Sequence, residues 1–216
     1  MKQALDIQQY AEDGFCHLTA AMAPDAVNNW RKTILDAAAK RPNMSSGNEY
    51  VAVFEPGSAE PKLDEIIRSP TLASIAAGFL GHDQVRLFAG AAYIKPAGGV
   101  ASFWHQDLWF FPINDTPVIT VWLPLTAIAE DQAPMIYAQG SHKAGFCSAS
   151  YDEAPKNIPL CQPAPMALGD ILVHDGWTLH GSADNRSGLS REAIGLVYIP
   201  DGARFATRQQ LESIPD

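Results

Sequence analysis

His105 and Asp107 stand two residues apart in "FWHQDLWFFP", polar groups set among large aromatic side chains. In an extended strand, residues two apart project to one face, so the imidazole and the carboxylate point together while Gln106 and Trp104 point the other way. Such a pair can grip one metal ion. A third ligand from another histidine would complete a two-His-one-carboxylate triad, which leaves three neighbouring positions open on Fe(II), as oxygen activation requires. The spacing alone is weak, because a His-Asp hydrogen bond on a solvated strand would share it. The surrounding aromatics favour the metal, since charged groups are rarely buried unless paired or metal-bound.

Two histidines qualify by type as the third ligand, His174 and His180, both in "GDILVHDGWTLHGSADNRSGLSREAIGLVYI". His180 is followed by the turn-rich "ADNRSGLS" and then by Arg191 at the start of the next apolar run. An antiparallel hairpin closed by that loop would set His180 and Arg191 side by side. A keto dicarboxylate chelating a metal at one end needs a fixed cation at the other, and a guanidinium can hold a carboxylate through two parallel N–H bonds. Ser182, two residues past His180, shares its face and can donate to the same carboxylate.

These residues need a scaffold of short strands, which the chain supplies after Gly81. The runs "VRLFAGAAYI", "ASFWHQDLW", "VITVWLPL", "APMIYA", "AGFCSAS", "DILVHDGWTLH" and "REAIGLVYI" are separated by turn residues, the texture of a β-sandwich or barrel such as a jelly roll. Upstream, "FCHLTA" reads as extended, and "APDAVNNWRKTILDAAAK" places Val27, Trp30, Ile34 and Ala38 at helical spacing. "PTLASIAAGFLG" gathers Leu72, Ile75, Ala76, Phe79 and Leu80 on one helix face before Gly81 ends it. Residues 41–61, rich in Pro, Gly, Ser and Asn around a strand-like island at Tyr50 to Phe54, predict a long loop suited to a lid. The expected class is mainly β with flanking helices. One domain spans 1–216, with a mostly helical flank over 1–81, a jelly-roll core over 82–200 and a tail over 201–216.

Composition narrows the function classes. The 216 residues are 47% hydrophobic and 18% charged, as in a soluble globular protein, and no apolar run reaches the ~18 residues of a membrane helix. A formal charge of −9 disfavours nucleic acid as a partner. The sequence "MKQALDIQQYAEDG" lacks a secretory pattern, and Cys16, Cys147 and Cys161 form no C-x-x-C pair, so a reducing, cytoplasmic setting is expected. Oligomeric state is left open.

The runs "YIKPAGGVASFWHQD", "VITVWLPLTAIAEDQAPMIYAQGSHKAG" and "GDILVHDGWTLHGSADNRSGLSREAIGLVYIP" resemble the phytanoyl-CoA dioxygenase-like (PhyH) superfamily of Fe(II)- and 2-oxoglutarate-dependent oxygenases. The likeness extends to "YAEDGFCHL" and "APDAVNNWRKTI". It implies a double-stranded β-helix, the jelly-roll or cupin-like core, with iron held by His105, Asp107 and His180. It further implies 2-oxoglutarate with its distal carboxylate on Arg191 and Ser182, Trp122 packing nearby, and a structural role for His142 of "GSHK".

The reaction so implied consumes O2, with ascorbate as a reductant, converts 2-oxoglutarate to succinate and CO2, and hydroxylates a small-molecule substrate. Desaturation, epoxidation and ring closure begin from the same hydrogen abstraction, and Asp107 disfavours halogenation because a halide would need its place. Trp104, Trp109, Phe110 and Phe111 are candidate walls of the reaction chamber. Residues 41–61, "DLWFFPIND" and "CSASYDEAPKNIPL" are candidate specificity segments. The chain departs from the family in "DQAPMIYAQGSHK", where Asn-Gly-Pro-Leu is common, and in His174, where Phe is more usual. The competing readings are a metal-binding cupin-like module and an isomerase or hydrolase without oxygenase activity.

Overall fold

A computed structural model describes residues 5–44, 48–57, 60–111, 116–145 and 153–204. The elements run α1 (Ile7–Asp13), β1 (Phe15–Leu18), α2 (Pro24–Ala38), β2 (Tyr50–Phe54), α3 (Pro61–Ile67), α4 (Pro70–Leu80), β3 (Val85–Lys95), β4 (Ile119–Pro124), β5 (Met135–Ala138), β6 (Leu160–Cys161), β7 (Ile171–Asp175), β8 (His180–Ser182) and β9 (Arg191–Pro200). The strands form two antiparallel sheets, a major one in the order β1-β7-β4-β9-β3-β2 and a minor one in the order β6-β5-β8. Two facing sheets with flanking helices agree with the expected jelly-roll-like core. Among the described residues no helix is long and apolar enough to cross a membrane.

Sequence period decides which face of the major sheet the helices cover. α2 and α4 each open on a proline, whose missing N–H is one of the unpaired helix-start donors in any case. Their apolar stripes, including Val27, Ile34, Leu72 and Phe79, join Leu63 and Ile67 of α3 over Ile119, Val121, Ile171, Val173, Ile194 and Leu196 of the sheet. Each fully buried aliphatic side chain contributes roughly 1.5–3 kcal/mol.

Period-two alternation then turns the intervening residues to the opposite face: Thr120 and Trp122 of β4, Leu172 and His174 of β7, Tyr93 and Lys95 of β3, and Arg191 and Ala193 of β9. That face meets the minor sheet through Phe15, Trp122, Met135, Tyr137, Leu172 and Ala193. The polar residues among these are enclosed between the sheets.

Two local expectations need correction. "ASFWHQDLW" is not a strand: His105 makes a single bridge with His180, and Asp107–Phe110 is a 3-10 turn. The turn closes because Leu108 N donates to the Gly176 carbonyl at 2.9 Å and Trp109 N to that of Gln106 at 3.1 Å. Gln106 keeps an extended backbone, φ −115° and ψ 125°, so His105 and Asp107 still converge. The buried Gln106 side chain points elsewhere and donates to the carbonyls of Gly145 and Trp177 at 2.8 and 2.7 Å.

The hairpin expected to join His180 and Arg191 does not form, because β8 and β9 do not pair with each other. "DILVHDGWTLH" breaks at Asp175, whose side chain accepts from Trp177 N at 2.8 Å and whose carbonyl accepts from Thr178 N at 2.9 Å. The chain thereby leaves the major sheet: β8 pairs with β5, while β9 pairs with β3 and β4. His180 and Arg191 therefore belong to different sheets. In the expected loop 41–61, Tyr50–Phe54 is the edge strand β2 and Pro61 opens α3. Residues 112–115 of "DLWFFPIND", 146–152 of "AGFCSAS" and "CSASYDEAPKNIPL" with Cys147, and 205–216 of the tail lie outside the described residues.

Candidate metal centre

His105, Asp107 and His180 each turn one ligand atom toward a common point, all within 4.8 Å of one another. Oδ1 of Asp107 lies 3.6 Å from Nε2 of His105 and 3.7 Å from Nε2 of His180. Both imidazoles are held from behind in the same way. Nδ1–H of His105 donates to the Phe103 carbonyl at 3.1 Å, and Nδ1–H of His180 donates to that of Thr178 at 2.9 Å. With the proton committed to Nδ1, the Nε2 lone pair faces inward, as a metal ligand needs. Burial, reinforced by His105 and His174, holds the His180 imidazole well below its usual pKa and so neutral.

Asp107 is oriented with equal care. Its Oδ2 accepts from Thr120 Oγ1 at 2.5 Å and from His174 Nε2 at 3.0 Å, leaving Oδ1 free. Tyr137 OH, 3.2 Å from His174 Nδ1, donates to it and fixes the tautomer that gives His174 its Nε2–H. Burial alone would raise the Asp107 carboxyl, yet His180, His105 and His174 together hold it well below the usual carboxylate range. Two inward-facing imidazole nitrogens and one carboxylate oxygen, gathered about one point, fit a divalent cation with open positions.

His174 qualified by type as a ligand, but the structure places it behind the carboxylate. Thr120 and His174 are register partners on β4 and β7, so the two clamp Asp107 from adjacent strands. His174→Phe, which removes one bond to Oδ2, is expected to weaken metal affinity roughly tenfold, measured by calorimetric titration, with the fold unchanged.

Beside the triad lies a buried cationic seat. Arg191 begins β9 opposite Lys95 at the end of β3, and the two are 2% and 0% exposed. The Arg191 guanidinium carbon sits 5.4 Å from the Trp122 ring centroid, and its Nε–H has no acceptor among the described residues. Lys95 Nζ donates to Ser182 Oγ at 2.7 Å and to the Val100 carbonyl at 2.8 Å, and Ser182 Oγ lies 2.9 Å from Ser102 Oγ. Burial brings the Lys95 pKa down to about 8 against the pull of Glu49. A buried guanidinium with an unused donor, backed by an ammonium and two hydroxyls, suits a carboxylate. Lys95 was not singled out from sequence, because its position opposite Arg191 depends on strand pairing across the whole core.

The other predicted residues divide. His142 lies in a 3-10 turn, Ser141–Ala144, with Nε2 3.3 Å from the Ala11 carbonyl, a structural position apart from the triad. Ser141 Oγ accepts from Leu179 N at 2.8 Å and so fixes the approach to His180. Trp104 is buried with Ala138 and Leu179, and Phe111 is half-buried against Phe88 at the edge of a small apolar cluster. Phe110 does flank the centre, 5.8 Å from the His105 ring, with Phe103 at 5.0 Å.

A helix-flanked pair of antiparallel sheets beside a His-x-Asp, a distant histidine and a buried arginine is the donor set of a mononuclear two-His-one-carboxylate site next to a seat for an acidic ligand. The family model for phytanoyl-CoA dioxygenase (PhyH) matches residues 10–193, and the chain belongs to this family of Fe(II)- and 2-oxoglutarate-dependent oxygenases. A probable alpha-ketoglutarate-dependent hypophosphite dioxygenase of Stutzerimonas stutzeri is 29% identical over 153 residues, covering 63% of this chain and 52% of the relative. The chain thus spans about half the length of that relative. An ectoine dioxygenase of Bordetella bronchiseptica is 24% identical over 227 residues, 89% of this chain and 73% of its own. Among solved structures, the non-haem alpha-ketoglutarate-dependent carbocyclase SnoK from nogalamycin biosynthesis superposes with a TM-score of 0.81 at 20% identity, over 97% of this chain and 89% of that one.

Proposed function

We propose that the protein is a non-haem Fe(II)- and 2-oxoglutarate-dependent dioxygenase that hydroxylates, or otherwise oxidises at an unactivated C–H bond, a small-molecule substrate. His105, Asp107 and His180 hold the iron, and Arg191, with Ser182, Lys95 and Trp122, holds the cosubstrate. The observation that carries this reading is the His105, Asp107 and His180 triad, with its ligand atoms turned to one point, beside the buried cationic seat of Arg191 and Lys95. When bound, the iron with 2-oxoglutarate and O2 supplies the oxidation: the keto acid leaves as succinate and CO2 while substrate loses two electrons. The chain's own residues supply position. The carbonyls of Phe103 and Thr178 keep the imidazoles as lone-pair donors, Thr120 and His174 keep Asp107 on one oxygen, and Trp122 covers the arginine.

A simple metal-binding cupin has no use for the Lys95 and Arg191 pair, which is why the oxygenase is preferred. The reading takes 1–216 as one domain, supported by a core shared from α2 to β9. It places the protein in the cytoplasm, supported by the free thiols of Cys16 and Cys161. Iron-dependent, ascorbate-supported release of succinate from 2-oxoglutarate is the expected result. Turnover that survives removal of the metal would contradict it.

Phe103 and Phe110 are half-exposed at the His105 edge of the centre, so substrate reaches the iron between two aromatic rings. Replacing either by Ala is expected to raise the substrate KM roughly tenfold while succinate release without substrate is little changed. Parallel succinate assays with and without substrate make that comparison.

A further inference from the structure

We propose that Glu49 is a built-in carboxylate that holds the cosubstrate's place on Arg191 in the empty enzyme and gives it up when 2-oxoglutarate binds, so that Glu49 sets cosubstrate affinity. The inference rests on the function proposed above. Its basis is strand register. Tyr50 of β2 pairs with Ile94 of β3, so the next residue outward, Glu49, falls beside Lys95, which in turn pairs with Arg191. Three charged residues thus lie in a row, Arg191 on β9, Lys95 on β3 and Glu49 just before β2. Oε1 of Glu49 is ion-paired with Nη2 of Arg191, and Oε2 lies 3.9 Å from Nζ of Lys95.

An unpaired guanidinium buried to this degree is costly, and Glu49 is the carboxylate that meets it in the structure described. Lys95 is already engaged with Ser182 Oγ and the carbonyls of Val100 and Ala183, so it contributes charge rather than a free donor. An incoming carboxylate must therefore be held by Arg191, one of whose terminal nitrogens Glu49 occupies. Charge balance explains why Glu49 need not be lost altogether. With a divalent metal, Asp107, Lys95, Arg191 and Glu49 all ionised, the site carries two net positive charges, the complement of a dicarboxylate. Glu49 releases Arg191 and keeps Lys95 as its partner.

The test is calorimetric titration of 2-oxoglutarate into zinc-loaded protein, where no turnover occurs. Glu49→Gln, which keeps the shape and removes the charge, is expected to bind 2-oxoglutarate about tenfold more tightly than wild type. Glu49→Asp, too short to span to Arg191, is expected to shift in the same direction, and thermal melts establish that each variant is folded. Hydrogen exchange supplies a second readout: 2-oxoglutarate changes protection of amides at 49–54 in wild type and leaves it unchanged in Glu49→Gln. Affinity that is unchanged or weaker in both variants overturns the role of Glu49 alone. Failure of every zinc-loaded form to bind 2-oxoglutarate overturns the proposed function and takes this inference with it.

Discussion

Asp107→Ala is expected to reduce succinate formation to background and to lower Fe(II) affinity by two orders of magnitude or more. The magnitude follows from what Asp107 alone contributes. It is the single anionic group of the triad, and one of its oxygens is kept free only because Thr120 and His174 bind the other. Alanine removes the ligand and leaves those two donors without an acceptor inside the core. His105→Ala and His180→Ala are expected to resemble it. Metal titration and the succinate assay on the same preparations check both halves of the expectation, and a variant that binds iron normally would count against the assigned triad.

Arg191→Met produces a different failure. Methionine fills much of the space under Trp122 but has no charge and no donor, so the cosubstrate loses its fork while the triad is untouched. Charge-assisted hydrogen bonds are worth roughly 1.5–3 kcal/mol each, so losing two raises the KM for 2-oxoglutarate about 100-fold or more. Iron affinity is expected to stay within about twofold of wild type, since no atom of Arg191 belongs to the triad. Arg191→Lys is not expected to rescue, because an ammonium cannot reproduce the planar pair of donors. Together the two variants separate a metal defect from a cosubstrate defect, and a charge-neutral Glu49 moves cosubstrate affinity in the opposite direction from Arg191→Met.

Local pattern carried much of this into the sequence. Alternation in "ITVW", "ILVH" and "REAIGLVYI" is the physical reason the major sheet turns an aliphatic face to the helices and sets Thr120, His174 and Arg191 among Trp122, Leu172 and Ala193 on the other. His105 and Asp107 converge although the strand expected to align them is a bridge followed by a 3-10 turn, since one extended residue, Gln106, suffices. What pattern could not supply was pairing between distant segments. Lys95 meets Arg191, and Glu49 meets both, through register set by sheet assembly. The division of "DILVHDGWTLH" between two sheets likewise depends on the bend at Asp175. Thr120 did leave a signal, as a polar residue two positions from Trp122 on the inward face of an otherwise apolar strand.

The most direct test of the central claim is the source of the new oxygen atom in succinate. Protein supplied with Fe(II), ascorbate and 2-oxoglutarate under ¹⁸O2 should release succinate carrying one ¹⁸O atom, read by mass spectrometry, even before its own substrate is known. Asp107→Ala and Arg191→Met should release little or none. Succinate that forms equally well without oxygen, or that carries no label when oxygen is labelled, would contradict the oxygenase assignment.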